Sequence, residues 1–121
     1  LGLSRIFGAL FTPDDGLAKR LLEAGNESND LLWRLPLAEE YRPSLDSSIA
    51  DISHVSRGNV GAGAITAALF LKEFAGTRRW AHLDIAGPAR AEKDRGELSR
   101  GATGFGVRVL LRWLQSSPDL W

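Results

Sequence analysis

Trp80-Ala81-His82-Leu83-Asp84-Ile85-Ala86-Gly87 is the stretch that decides the fold. It reads as a strand running into a Gly87-Pro88 turn. Leu83 and Ile85 fall on one face, with Trp80, His82, Asp84 and Ala86 on the other. Apolar residues on both faces predict an interior strand with helices on each side. Just upstream, residues 64–75 leave almost no polar position, which predicts a buried helix ended by Gly76. Downstream, residues 88–98 form a charged excursion. The glycine cluster Arg100-Gly101-Ala102-Thr103-Gly104 follows. A final helix is predicted over 107–114, with Val107, Leu110, Leu111 and Leu114 on its core side.

The first half carries a helix start at Thr12-Pro13-Asp14-Asp15. Thr12 suits the N-cap, Pro13 the first helical position and Asp15 the third position of a capping box. Leu17, Ala18, Leu21, Leu22 and Ala24 continue with helical spacing. Gly25 is the expected stop, followed by a polar loop over 26–30. Residues 31–35 read as a short strand ended by Pro36. Residues 38–41 read as a helical turn, 44–56 as mixed with a brief strand or turn near 49–52, and 57–63 as a glycine loop. The order of helix, strand, helix, strand, long loop and helix is α/β. Two or three strands make a thin sheet, which suggests a piece of a larger one.

Composition bounds the function. The 121 residues suffice for one domain, and 44% hydrophobic with 25% charged fits a globular fold. Fifteen basic and fifteen acidic residues cancel, which gives no reason to invoke nucleic acid or an anionic membrane. No cysteine is present, which removes disulfides, cysteine zinc sites and a thiol nucleophile. No apolar run is long enough to span a membrane. The residues before Phe7 lack a signal-peptide layout. Methionine is also absent, so the chain is read as a fragment of something longer.

The chemical motifs are weak taken singly. Gly58-Asn59-Val60-Gly61-Ala62-Gly63-Ala64-Ile65 has phosphate-loop glycine spacing, but Ala64 and Ile65 stand where Lys and Ser/Thr are needed. A loop entering a buried helix is the better reading. His82 and Asp84 share a strand face and could serve as metal ligands or as a base with its orienter. A metal site needs a third ligand, and the other histidine is His54. A satisfied buried pair is the plainer account. Glu92, Asp94 and Glu97 sit among Lys93, Arg95 and Arg100, which reads as a solvated charged loop. Arg108 and Arg112 read as a solvent face of the last helix. No Gly-x-Ser-x-Gly elbow occurs. The turn Ala86-Gly87-Pro88-Ala89 follows the carboxyl end of a strand, where open α/β sheets bind ligands. Its small residues leave room for a side-chain pocket, and tight turn packing is the competing explanation.

Several motifs in order resemble the leucine (cytosol) aminopeptidase family. They are Phe11-Thr12-Pro13-Asp14-Asp15, Trp33-Arg34-Leu35-Pro36-Leu37, Glu40-Tyr41, Ala50-Asp51, Gly63-Ala64-Ile65-Thr66-Ala67-Ala68 with Phe70-Leu71 and Phe74, residues 80–87, and residues 101–104. The resemblance implies that residues 1–121 are the C-terminal portion of a zinc-exopeptidase-like catalytic domain, a mixed sheet flanked by helices. It further implies a cytoplasmic, homo-hexameric leucyl aminopeptidase that takes N-terminal amino acids from peptides. Two divalent metal ions, zinc or manganese, activate the water in that family. Their ligands include carboxylates of an Asn-Thr-Asp-Ala-Glu-Gly-Arg signature that nothing here matches. No catalytic or metal-binding residue is therefore carried over, and the chain alone is expected to be inactive and to expose apolar helix faces. What carries over is a substrate pocket: Ala86 and Ala89, with Gly87 between them, at the first side-chain subsite, and Val55 near the second. His54 stands where the family often has Asn. A non-catalytic interaction or oligomerisation module built on the same fold is the alternative.

Overall fold

The structure is a computed structural model, and it describes residues 3–46, 52 and 62–117. Its centre is β1 (Gly8–Phe11), a strand that no sequence motif announces. Ala9, Leu10 and Phe11 are fully buried. A four-residue apolar run without alternation carries no strand-specific periodicity, so its character shows only in three dimensions.

β1 pairs in parallel with β2 (Leu32–Arg34) and antiparallel with β3 (His82–Asp84), giving a mixed sheet of order β2-β1-β3. In register, Ala9 lies opposite Asp84, Leu10 opposite Leu83 and Phe11 opposite His82. The expectation of an interior strand over 80–86 is corrected: β3 is an edge of the described sheet, and β1 is the interior strand. The apolar residues on both faces of β3 are half-buried because helices lie on both sides of the sheet, not because strands flank it.

Helix α1 (Asp15–Ser28) and helix α3 (Val107–Gln115) cover one face of the sheet. There Leu10, Leu17, Ala18, Leu21, Ala24, Leu32 and Val109 form a core, with Leu83, Phe105 and Trp113 against it. Helix α2 (Gly63–Lys72) covers the other face, where Ala68 meets Ala9 and Phe11, with Ile65 and Trp80 alongside. Each large apolar side chain buried this way contributes on the order of 1.5–3 kcal/mol. A 3-10 helix, Glu39–Leu45, longer than the expected turn, packs on α2, and Glu39 pairs with Lys72 across that contact at 2.9 Å.

Local chemistry moves several boundaries. The N-cap of α1 is Asp14, whose Oδ1 accepts the Leu17 N–H at 2.8 Å, and not Thr12. Thr12 is engaged elsewhere: its hydroxyl donates to the Trp80 carbonyl at 2.7 Å and accepts the Asp14 N–H at 3.1 Å. Nor does α1 stop at Gly25. It runs to Ser28 and ends on Asn29, which takes the left-handed conformation at φ 61°. Gly25 is instead a close-packing position, since a Cβ there would lie 2.8 Å from the Asp30 carbonyl oxygen.

The two later helices are less enclosed than their composition predicts. In α2 only Thr66, Ala68 and Leu69 are buried, and beyond them Leu71 and Phe74 are exposed. One face of α2 meets the sheet and the 3-10 helix; the other meets solvent. In α3 the core side is Val109 with Trp113, while Val107, Leu110 and Leu111 are exposed. The charged excursion after Pro88 is a small antiparallel hairpin, β4 (Arg90–Ala91) and β5 (Gly101–Ala102). The brief strand expected near 49–52, the glycines at 58 and 61, and the tail from 118 onward lie outside the described residues, apart from isolated Ile52.

Candidate functional site

The turn after β3 is held from several directions. Its first N–H, that of Ala86, donates to Asp84 Oδ1 at 3.0 Å. The Ala89 N–H donates to the Ile85 carbonyl at 2.9 Å. Pro88 is buried, and Ala86 is exposed. Gly87 is required by its neighbour: any Cβ there would run into the Ser4 carbonyl group. Ser4 is itself fixed, because its Oγ accepts the N–H groups of Phe7 at 2.8 Å and Ile6 at 3.1 Å. The small residues of the turn therefore have two separate reasons. Gly87 makes room for a backbone, whereas Ala86 presents a short side chain to solvent.

On its other side the turn meets the glycine loop. Thr103 Oγ1 donates to the Pro88 carbonyl at 2.7 Å and accepts the Phe105 N–H at 3.2 Å. The Thr103 N–H donates to the Ala89 carbonyl at 3.0 Å. Gly101, Gly104 and Gly106 hold φ values of 116°, 70° and 101°, a region L side chains rarely enter. A cleft of about 370 Å³ borders this junction, lined by residues including Arg5, Asp30, Pro88, Thr103, Phe105 and Arg108.

Asp30 anchors the junction from beneath. It is 3% exposed, and its Oδ2 accepts the N–H groups of Gly106 at 3.0 Å and Val109 at 3.2 Å. A side chain 76 residues away thus caps α3, which has no capping side chain of its own. Arg108 lies 3.8 Å from Asp30 Oδ1 and pairs with Glu97 at 3.0 Å, and Arg112 pairs with Glu27. The arginines of the last helix are therefore paired rather than simply solvated. Sequence reading had no signal for Asp30 or Thr103, because both act on partners distant along the chain.

His82 and Asp84 stay apart in role. The His82 ring is half-buried and stacks on Phe11 at 5.9 Å and on Trp80 at 6.4 Å between centroids. Burial pulls its pKa below the usual imidazole value, against the opposing pull of the Asp84 charge. The Asp84 carboxylate is occupied by the Ala86 N–H. Among the described residues no three His, Cys, Asp or Glu side chains come together to hold a metal. His54 and Val55 lie outside the described residues. The carboxylates of the hairpin are spread: Glu92 pairs with Arg5 at 2.7 Å, Asp94 accepts the Arg100 N–H at 2.9 Å, and Glu97 faces Arg108.

A second cleft, about 520 Å³, opens at the carboxyl ends of β1 and β2, with Thr12, Arg34, Leu35 and Lys72 among its lining. Its cations are matched, Arg34 by Asp15 at 2.8 Å and Lys72 by Glu39 at 2.9 Å. No helix among the described residues is long and apolar enough to cross a membrane.

Comparison with known proteins agrees across sequence and fold. Residues 1–111 match the catalytic domain of the cytosol aminopeptidase family. A probable cytosol aminopeptidase of Synechococcus sp. (strain JA-3-3Ab) is 50% identical over 94% of this chain and 22% of its own length. The bottromycin maturation enzyme BotP, solved in complex with Mn, is 42% identical, with a TM-score of 0.85 over 92% of this chain and 24% of its own. A cytosol aminopeptidase from Coxiella burnetii is 38% identical, with a TM-score of 0.84 over 95% of this chain and 25% of its own. The chain thus spans about a quarter of the length of these relatives.

Proposed function

The chain belongs to the cytosol aminopeptidase family, and from that premise we propose that it forms the substrate-side wall and scaffold of a metal-dependent leucyl aminopeptidase. The observation that carries this reading is the match of residues 1–111 to the family's catalytic domain. In this reading residues 1–121 are the C-terminal portion of that domain, and the metal-binding core lies upstream. The whole enzyme removes N-terminal residues from peptides as a cytoplasmic homo-hexamer. Its two divalent ions are zinc or manganese; the Mn complex of BotP supports a metal of this kind.

Among the described residues no three His, Cys, Asp or Glu side chains come together to hold a metal, and in this reading the hydrolytic chemistry belongs to the upstream part of the domain. The part of this chain is to bind and orient. Ala86 and Ala89, spaced by Gly87, wall the pocket for the first side chain of the substrate, and Val55 stands near the second. A bound substrate side chain gains by transfer from water to this wall, which holds the substrate in the pocket. The Asp84 carboxylate and the Ser4 backbone hold the wall where it is. Ala86→Leu in the full-length protein tests the assignment. Added bulk should lower kcat/KM for leucine p-nitroanilide roughly tenfold or more relative to alanine p-nitroanilide. An unchanged ratio would remove Ala86 from the pocket.

A further inference from the structure

We propose that Thr103 is a positioning residue that sets the width of the first side-chain pocket, acting through Pro88 and Ala89. The proposal rests on the reading of Ala86, Gly87 and Ala89 as the wall of that pocket.

Thr103 makes three contacts at this junction. Its hydroxyl donates to the Pro88 carbonyl at 2.7 Å, its N–H donates to the Ala89 carbonyl at 3.0 Å, and its hydroxyl also accepts the Phe105 N–H at 3.2 Å. The turn therefore meets the Ser4 backbone at Gly87 on one side and Thr103 at Pro88 and Ala89 on the other. The loop carrying Thr103 contains Gly101 and Gly104, both at positive φ, and glycine gives it little conformational preference of its own. Its position is set by what it bonds. On its far side the loop enters α3, whose first N–H groups are fixed by buried Asp30. Thr103 thus links the wall to the core through a hydroxyl whose loss changes side-chain volume very little. The ladder pairing of Arg90 with Ala102 and the Thr103 N–H bond remain when that hydroxyl is removed. Its removal should loosen the wall without unfolding the domain.

The test uses the full-length metal-loaded enzyme, with leucine and alanine p-nitroanilide as substrates. Thr103→Val should raise KM for the leucine substrate about three- to tenfold, the range expected for one lost hydrogen bond. The kcat value should stay within about twofold, because a wall that binds ground and transition states alike contributes to KM. The alanine substrate, too short to press on the wall, should change less than about twofold, and Thr103→Ser should restore the parent values. A Thr103→Val enzyme that loses activity equally toward both substrates, or falls in melting temperature with its selectivity intact, would overturn the proposal and leave Thr103 a structural residue. Ala86→Leu separates the two levels of the argument. If it shifts selectivity while Thr103→Val does not, the positioning role fails and the pocket stands. If neither does, the pocket itself fails.

Discussion

Thr12 sits in the right motif but has a different task from the one that motif suggests. The motif 12–15 announces a helix start, and α1 does start there. Thr12 and Asp14 are both good caps, and nothing local separates them. The choice is made by the segment leading into β3, because the Trp80 carbonyl takes the Thr12 hydroxyl and leaves Asp14 to cap. Arg79 strengthens the choice. Its guanidinium hydrogen-bonds the Asp14 carboxylate at 2.6 Å and, together with the Leu17 N–H, holds its pKa at about 2. A carboxylate depressed in the fold adds stability above its unfolded pKa, and loses it as pH falls through the folded value. Acid unfolding should therefore steepen between about pH 4 and pH 2, and Asp14→Asn should flatten that segment. Asp14→Ala should lower the urea midpoint at neutral pH by removing the acceptor of the Leu17 N–H. The same change at Thr12 should behave differently, since it would release the Trp80 carbonyl instead of a helix N–H.

At the scale of elements, helix α3 is the instructive case. Its sequence places apolar residues at 107, 109, 110, 111, 113 and 114, so two faces compete for the core. The stripe of Val107, Leu110, Leu111 and Leu114 has the more regular spacing, yet Val109 and Trp113 face inward. Polar partners fix the rotation. Asp30 captures the Gly106 and Val109 N–H groups, and Arg108 and Arg112 reach Glu97 and Glu27. None of these pairings is visible in a hydrophobic pattern. Strand β1 escaped for the opposite reason: a run buried on both faces carries no period at all. The predicted elements that matched were those with their own local signals, the start of α1 within the motif 12–15 and β2 ahead of Pro36, whereas α2 ends at Lys72, short of Gly76. Asp30→Ala should leave the Gly106 and Val109 N–H groups without their partner and destabilise the domain by roughly 1–3 kcal/mol. Asp30→Asn keeps an acceptor and should cost less. Thermal unfolding of the two variants in the full-length protein distinguishes them.

For the molecule as a whole, a mixed three-stranded sheet with helices on both faces matches the α/β architecture read from the sequence. The family was legible because several motifs recur in one order along the chain. The residues proposed for the substrate wall are distinguished in the sequence by their small size alone; the contacts made there by Ser4, Thr103 and Asp30 required the fold. The expected apolar faces are present in the described structure. Phe74 and Val107 are each 66% exposed, and Leu111 is 54% exposed. Scattered exposed apolar residues are ordinary, but Val107, Leu110 and Leu111 share one helix, and Leu110 lines a groove with Leu17, Leu21, Leu83 and Trp113 that Arg20 and Arg79 also border. The isolated chain should self-associate through this surface. Leu110→Ser with Leu111→Lys should shift it toward monomer in light scattering at constant helix content, and unchanged association would assign the stickiness elsewhere.

In the proposed division of labour this chain walls the substrate site of an aminopeptidase and the hydrolytic chemistry lies upstream. Hydrolysis of leucine p-nitroanilide with added manganese or zinc tests it most directly, measured on the 121-residue chain and on the protein with its upstream sequence. Turnover is expected from the longer protein only. Metal-dependent turnover by the short chain would contradict it and would make His82 and Asp84 the first residues to substitute.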